Sequence, residues 1–445
     1  MKTLNGGAIL LLLCSLLGGI AMGGTIFPYK YQTETLPNGL RIVMVPMESP
    51  GLVSYYSIVR TGSRDEVEPG KTGFAHFFEH MMFRGTKKYP GSAYDSVMTS
   101  LGTNSNAYTT DDYTAYHINF AKVDLAKIIE MESDRFQNLS YKKPAFQTEA
   151  GAVYGEYKKN VTQPFAMLNE KMQDLAYDVH TYKHTTMGFE KDIKAMPEGY
   201  DYSISFFNRY YRPDNVVIIV AGDINPVTTL GLIKQYYGGW ERGYVPPAIT
   251  PEPPQTAERT AEVSYPGKTQ PIIDIAYKGD AFDVNNRDYV AALLLGDLAF
   301  GENSELYKRL VIKEQKVQFI GASIPMNRDL PLFEIYSMVK AVDDVPYVRD
   351  QVYATLEQYK TTPVEEKKLS DLKRRNKYSF LMGLDTPDKV AGGMARFAAL
   401  SAGIDVVDEL FKQLDTITPQ DIMNAAGKYF TPERRTVVVL KGAAQ

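Results

Sequence analysis

Residues 76–80 read His-Phe-Phe-Glu-His. On a helix, positions four apart share a face, so His76 and His80 can hold one metal ion between them. Glu79 stands beside His80 and three residues from His76, within reach of a water on that ion. Two imidazoles with a carboxylate beside them form the donor arrangement of zinc hydrolases. Two histidines and a carboxylate buried among phenylalanines need partners, and an ion supplies them. A hydrolytic zinc site also needs a third protein ligand and one open position. No histidine motif follows at suitable range, but Glu149 and Glu156 do, seven residues apart on one face of a second expected helix. Spacing alone lets either one reach the ion, the other then orienting a histidine or the water.

These residues need elements to carry them. Phe74, Phe77, Phe78, Met81 and Met82 make the stretch 72–83 apolar nearly all round, which predicts a buried helix that Thr72 can cap. Helices are also expected over 92–101, 123–139 and 146–159, the last weakened by Gly151 and Gly155. Strands are expected over 40–46, 52–60 and 114–120, with Asn38-Gly39 as a turn before the first. Residues 209–223 (RYYRPDNVVIIVAGD) and 428–442 (KYFTPERRTVVVLKG) share a pattern at an offset of 219 residues, each following an expected helix, at 202–210 and 419–429. This is an internal repeat. Five prolines within residues 245–254 predict an extended linker between the copies. The expectation is an α+β fold of two structurally similar domains, each a mostly antiparallel sheet with packed helices. The first spans 25–244 and carries the metal site; a linker at 245–260 leads to the second at 261–445, which has no histidine and so no second copy of the site.

Composition narrows the function. A chain of 445 residues suits two domains of about 200 residues each. A net charge of -4 gives no basic field for nucleic acid or an anionic membrane. Lys2, an apolar run over 8–22 and small residues at Ala21, Gly23 and Gly24 read as a signal peptide over 1–24. That implies export, with a bacterial periplasm as the expected compartment and no membrane span after the leader is removed. Cys14 is the only cysteine and would leave with the leader, so neither a disulfide nor a thiol nucleophile is expected in the mature chain.

The stretches GSRDE at 62–66 and HFFEHMMFRGT at 76–86 resemble the signature of the M16 (pitrilysin-like) metallopeptidases, the inverzincins, and in particular their half-size members similar to the mitochondrial processing peptidase. The resemblance covers essentially the whole chain after the leader. It implies the LuxS/M16 metallopeptidase-like fold and one Zn2+ per chain. It also implies Glu79 as general base, Glu156 as third ligand beside His76 and His80, and Glu149 in a supporting catalytic role. Residues 102–116 resemble the family's edge strand, which places Asn106, Ala107, Tyr108 and Thr109 where main-chain bonds hold an extended peptide substrate. Such pairing favours unstructured peptides over a sharp consensus. His180 and His184 fall in a loop, HTYKHTTMG, where the resemblance implies structural roles.

One departure stands out. Members of this type carry an Arg and a Tyr, four residues apart, in the second half, where they help hold substrate. In GENSELYKRLVIKEQKVQFIG at 301–321, Gln315 and Phe319 occupy those places. Gln lacks the guanidinium's charge and fork, and Phe has no hydroxyl to donate. Members of this size work as dimers. The expectation is a zinc-bearing subunit of a dimer, with a zinc-less homologous partner as one source of the Arg/Tyr pair. The alternative is a non-catalytic assembly or peptide-binding subunit, for which an intact set of His76, Glu79 and His80 would have no purpose.

Overall fold

Two sheets form where β-branched and aromatic residues concentrate. The computed structural model describes residues 25–401 and 403–443, so the expected leader lies outside the described residues. The first sheet holds β1 (Gln32–Thr35), β2 (Arg41–Pro46), β3 (Leu52–Val59), β4 (Asn104–Thr109), β5 (Thr114–Ala121) and β6 (Val216–Gly222), in the order β1-β2-β6-β3-β5-β4. The second holds β7 (Arg259–Ser264), β8 (Ile272–Lys278), β9 (Val317–Ser323), β10 (Leu332–Val339) and β11 (Arg435–Lys441), in the order β7-β11-β8-β10-β9. Each sheet has one parallel pair, β2 with β6 and β7 with β11, and is otherwise antiparallel.

The repeat is therefore topological. Leaving β1 aside, the two strand orders match one for one, with β4 and β9 as equivalent open edges. The helices Tyr200–Tyr210 and Pro419–Tyr429 and the strands β6 and β11 lie 219 residues apart, end for end. The fold is α+β with two similar units, as the pattern predicts.

The two units do not pack separately. Helix Pro164–Ala176, from the first half, lays Leu168, Met172 and Ala176 on Ile272, Ala276, Val438 and Leu440 of the second sheet. Helix Pro387–Ser401, from the second half, lays Val390, Ala391, Met394 and Ala395 on the first sheet beside Tyr56, Ile58, Val217 and Ile219. Each sheet thus buries one face under a helix of the other half.

The proline-rich connection carries no helix or strand until β7 begins at Arg259. It is nonetheless fastened. Glu252 is buried and accepts hydrogen bonds from the backbone N–H groups of Asp178, Val179 and His180 at 2.8–3.0 Å, and it pairs with the buried Lys278 of β8. Glu252 therefore ties the connection to both halves. Among the described residues, no single helix is long and apolar enough to cross a membrane.

Candidate metal centre

The helix that carries both histidines runs from Phe74 to Met81 and tightens into one 3-10 turn over Met82–Arg84. It starts later than the hydrophobic pattern predicts, and Thr72 does not cap it. Gly73 stands at the N-terminus with φ of 89°, a left-handed conformation that glycine adopts without strain. The first amides are met instead by Glu66, whose carboxylate accepts from the N–H of Gly73 at 2.7 Å and of Ala75 at 2.6 Å. A carboxylate suits a helix N-terminus, where the backbone dipoles favour negative charge. The Thr72 hydroxyl donates to Asp192 at 2.8 Å and accepts from the Phe189 N–H. Phe74, Phe77 and Phe78 are fully buried, so the helix is held on its apolar sides and presents His76, Glu79 and His80 together.

The facing helix runs unbroken from Lys143 to Asn160. Gly151 and Gly155 do not break it; a Cβ at either would meet nothing within 4 Å. Glu149 and Glu156 both come to the histidines, but differently. Glu156 Oε2 lies 3.3 Å from His80 Nε2 and 3.8 Å from His76 Nε2. The ligand atoms of His76, His80 and Glu156 all lie within 4.8 Å of one another. Ligands of a tetrahedral zinc at about 2.0–2.2 Å sit about 3.3–3.6 Å apart, so this donor set fits that ion after small adjustment. Glu149 instead stands behind His80. Its Oε1 is 2.9 Å from His80 Nδ1, and its Oε2 accepts from Arg84 Nε at 2.6 Å. The geometry thus separates two carboxylates that spacing could not.

The electrostatics follow from these contacts. Burial pushes the His76 pKa down, outweighing the nearby Glu79 carboxylate, so this imidazole favours the neutral form a metal needs. The hydrogen bond to Glu149 pushes His80 up. Burial alone would raise Glu149, but hydrogen bonds from His80 and Arg84 hold it below its ordinary value. A charged Glu149 accepts the His80 Nδ1 proton and leaves Nε2 facing Glu156.

Glu79 is not in the ligand set. Its Oε2 accepts a hydrogen bond from the Thr109 hydroxyl at 2.7 Å. Thr109 ends β4, the open edge of the first sheet, so the carboxylate and the expected peptide-pairing strand touch. Along that strand Asn106 is exposed, while Ala107 turns its methyl into the core and Tyr108 packs on Tyr113. Only the main chain of Ala107 can meet a ligand.

His180 and His184 lie apart from this group. His180 Nε2 sits 3.0 Å from Asp329 Oδ2, and its Nδ1 accepts from the Tyr182 N–H. His184 is buried against Phe189. In the second half, Gln315 has a φ of 55°, and Phe319 on β9 stacks on Phe165 with ring centroids 6.1 Å apart. Arg84 and Thr109 are the contributors that residue spacing left without these tasks. Arg84 lies four residues after His80, so it shares the His80 face and could have been placed there. The Thr109 contact depends on a sheet edge meeting a helix and has no local signal.

Comparisons with known proteins find matches along most of the chain. The model described as insulinase (peptidase family M16) matches residues 50–190, and that described as the peptidase M16 inactive domain matches residues 200–376. The chain is 28% identical to the zinc protease PqqE of Helicobacter pylori over 434 residues, covering 95% of each. It is 22% identical to the probable mitochondrial-processing peptidase subunit beta of Schizosaccharomyces pombe, covering 90% of this chain and 88% of that one. The crystal structure of a protease from Helicobacter pylori superposes with a TM-score of 0.87 at 28% identity, covering 93% of this chain and 99% of that one. With two family models in tandem across most of its length and a relative matched nearly end to end, the chain belongs to peptidase family M16 as a half-size member.

Proposed function

We propose that this chain is a zinc-dependent endopeptidase acting on unstructured peptides, with His76, His80 and Glu156 as ligands and Glu79 as general base. The observation that carries this reading is the division of labour among four side chains. Three converge on one point, and the fourth stands beside them, fixed by Thr109 instead of joining the ligand set.

Zinc held by His76, His80 and Glu156 would supply an acidified water near neutral pH and would polarise a peptide carbonyl. Glu79, held beside that group by Thr109, would accept the water's proton and pass it to the leaving amine. Glu149 and Arg84 fix the ring of His80, so that Nε2 faces Glu156 without searching rotamers. The β4 edge aligns the substrate through main-chain bonds, which demand an extended chain and little sequence.

The subunit acts in a dimer. Neither Gln315 nor Phe319 offers the charge or hydroxyl that would clamp substrate, which supports a zinc-less homologous partner supplying them. The leader-like 1–24 supports export to a periplasm.

Replacing Glu79 by Gln tests the assignment. The variant is expected to keep its zinc, counted by elemental analysis, and to lose turnover by about 10²–10⁴-fold. Loss of the metal instead would make Glu79 a ligand and overturn the mechanism.

A further inference from the structure

Among the described residues, the second half of the chain adds nothing to the group of His76, His80 and Glu156, yet it grips the element that holds Glu79. The hairpin turn at 110–113, between β4 and β5, starts one residue after Thr109. Its backbone is clasped by the first half: the N–H groups of Ser63 and Arg64 donate to the carbonyls of Thr110 and Asp111 at 3.3 and 2.8 Å. The approach at Gly62 is so close that a Cβ there would stand 2.2 Å from the Thr110 oxygen.

The other grip comes from the loop joining β9 to β10 in the second sheet. The Arg328 N–H donates to Asp112 Oδ2 at 3.1 Å, and the Asn327 amide reaches Asp111 Oδ2 at 3.5 Å. The Arg328 guanidinium donates to the Arg60 carbonyl at 3.1 Å. Tyr182 bridges the two halves, donating to Asp112 Oδ1 at 2.7 Å and accepting from the Asp329 N–H at 3.3 Å. A turn held from both sides cannot shift without moving the last residue of β4.

We infer that Thr109 is a positioning residue for Glu79, and that the β9–β10 loop of the metal-less half sets its place. This rests on the reading of Glu79 as general base. A glutamate side chain has several rotamers, and a carboxylate has about four acceptor sites. One donated bond restricts the rotamers and leaves acceptor capacity for the proton of the attacking water. The second half thereby serves the zinc site of the first within one chain, through backbone geometry.

The test compares Thr109→Val, Thr109→Ser, Asp112→Ala and the Thr109→Val/Asp112→Ala double variant. Val keeps the shape of Thr and removes the donor; Ser keeps the donor. Thr109→Val is expected to lower kcat about tenfold, the weight of one hydrogen bond to a charged group, with KM and zinc content unchanged. Thr109→Ser restores kcat. Asp112→Ala removes the carboxylate that accepts from the Arg328 N–H and the Tyr182 hydroxyl, and it lowers kcat in the native background but not in the Thr109→Val background, because its effect runs through the Thr109 hydroxyl. A Thr109→Val variant with native kcat, or two effects that multiply independently, would overturn the proposal. Binding of a peptide hydroxamate to the zinc-loaded chain provides a readout without turnover, since a hydroxamate hydrogen-bonds to the base. Affinity is expected to fall about tenfold in Thr109→Val and return in Thr109→Ser. If the native chain cleaves nothing but shows this loss, the peptidase reading fails and the positioning role stands. Equal hydroxamate affinity in Val and native chains would refute the positioning role alone.

Discussion

At the scale of single residues, the site is a relay of fixed contacts. Arg84 holds Glu149, Glu149 holds His80, and Thr109 holds Glu79. Replacing Glu149 by Gln keeps the shape but removes the charge that accepts the His80 proton. Zinc affinity is expected to fall about 10–100-fold, measured by competition with a chromophoric chelator, and turnover to recover when zinc is raised to saturation. A turnover loss that persists at saturating zinc would give Glu149 a direct part in the chemistry. The meeting of His76, Glu79 and His80 was legible in the sequence, because helical spacing puts them together whatever the fold around them. The choice between Glu149 and Glu156 was not legible from spacing. Seven residues apart, they share a face, and only the packing of the second helix decides which one meets Nε2 and which meets Nδ1.

At the scale of elements, the histidine helix depends on how it begins. Its start at Gly73 puts His76 three residues along and leaves the first amides to Glu66. Gly73→Ala would force a side chain into a left-handed backbone and set its Cβ 2.6 Å from the Met187 carbonyl. The left-handed conformation alone costs about 1–2 kcal/mol, and the clash adds to it. The variant is expected to melt at a lower temperature and to bind zinc more weakly, both read on the same protein by calorimetry with and without zinc. The apolar run at 74–82 made the helix legible but not its cap. Thr72 is a good capping residue by type, yet its hydroxyl is taken by Asp192, a contact 120 residues away in the chain. The β4 edge was legible through resemblance. Its exposure follows from strand order, which no single strand reveals.

At the scale of the whole molecule, the halves are repeats that share their packing. The repeat was legible because helix, proline and strand recur at a constant offset. The exchange of helices Pro164–Ala176 and Pro387–Ser401 was not, since an amphipathic pattern says that a face is buried but not against which sheet. That the proline-rich connection carries neither helix nor strand was legible, but its anchor was not: Glu252 is one of 53 acidic residues and has no local signature. Burial would raise Glu252, but Lys278 and three backbone N–H groups hold it from its ordinary 4.5 down to about 2. A depressed carboxylate stabilises the fold above its unfolded pKa and loses that contribution as pH falls through the folded one. Glu252→Gln should therefore melt below the native chain at pH 7, with the gap closing between about pH 4.5 and 2. A gap independent of pH would remove the charge from the account of the anchor. The most direct test of the central claim is hydrolysis of an unstructured quenched-fluorescent peptide by the purified chain, with bound zinc counted in the same sample. The account predicts one zinc per chain and cleavage that a chelator abolishes and added zinc restores. Cleavage that survives removal of the metal, or a chain that binds no zinc, would contradict it.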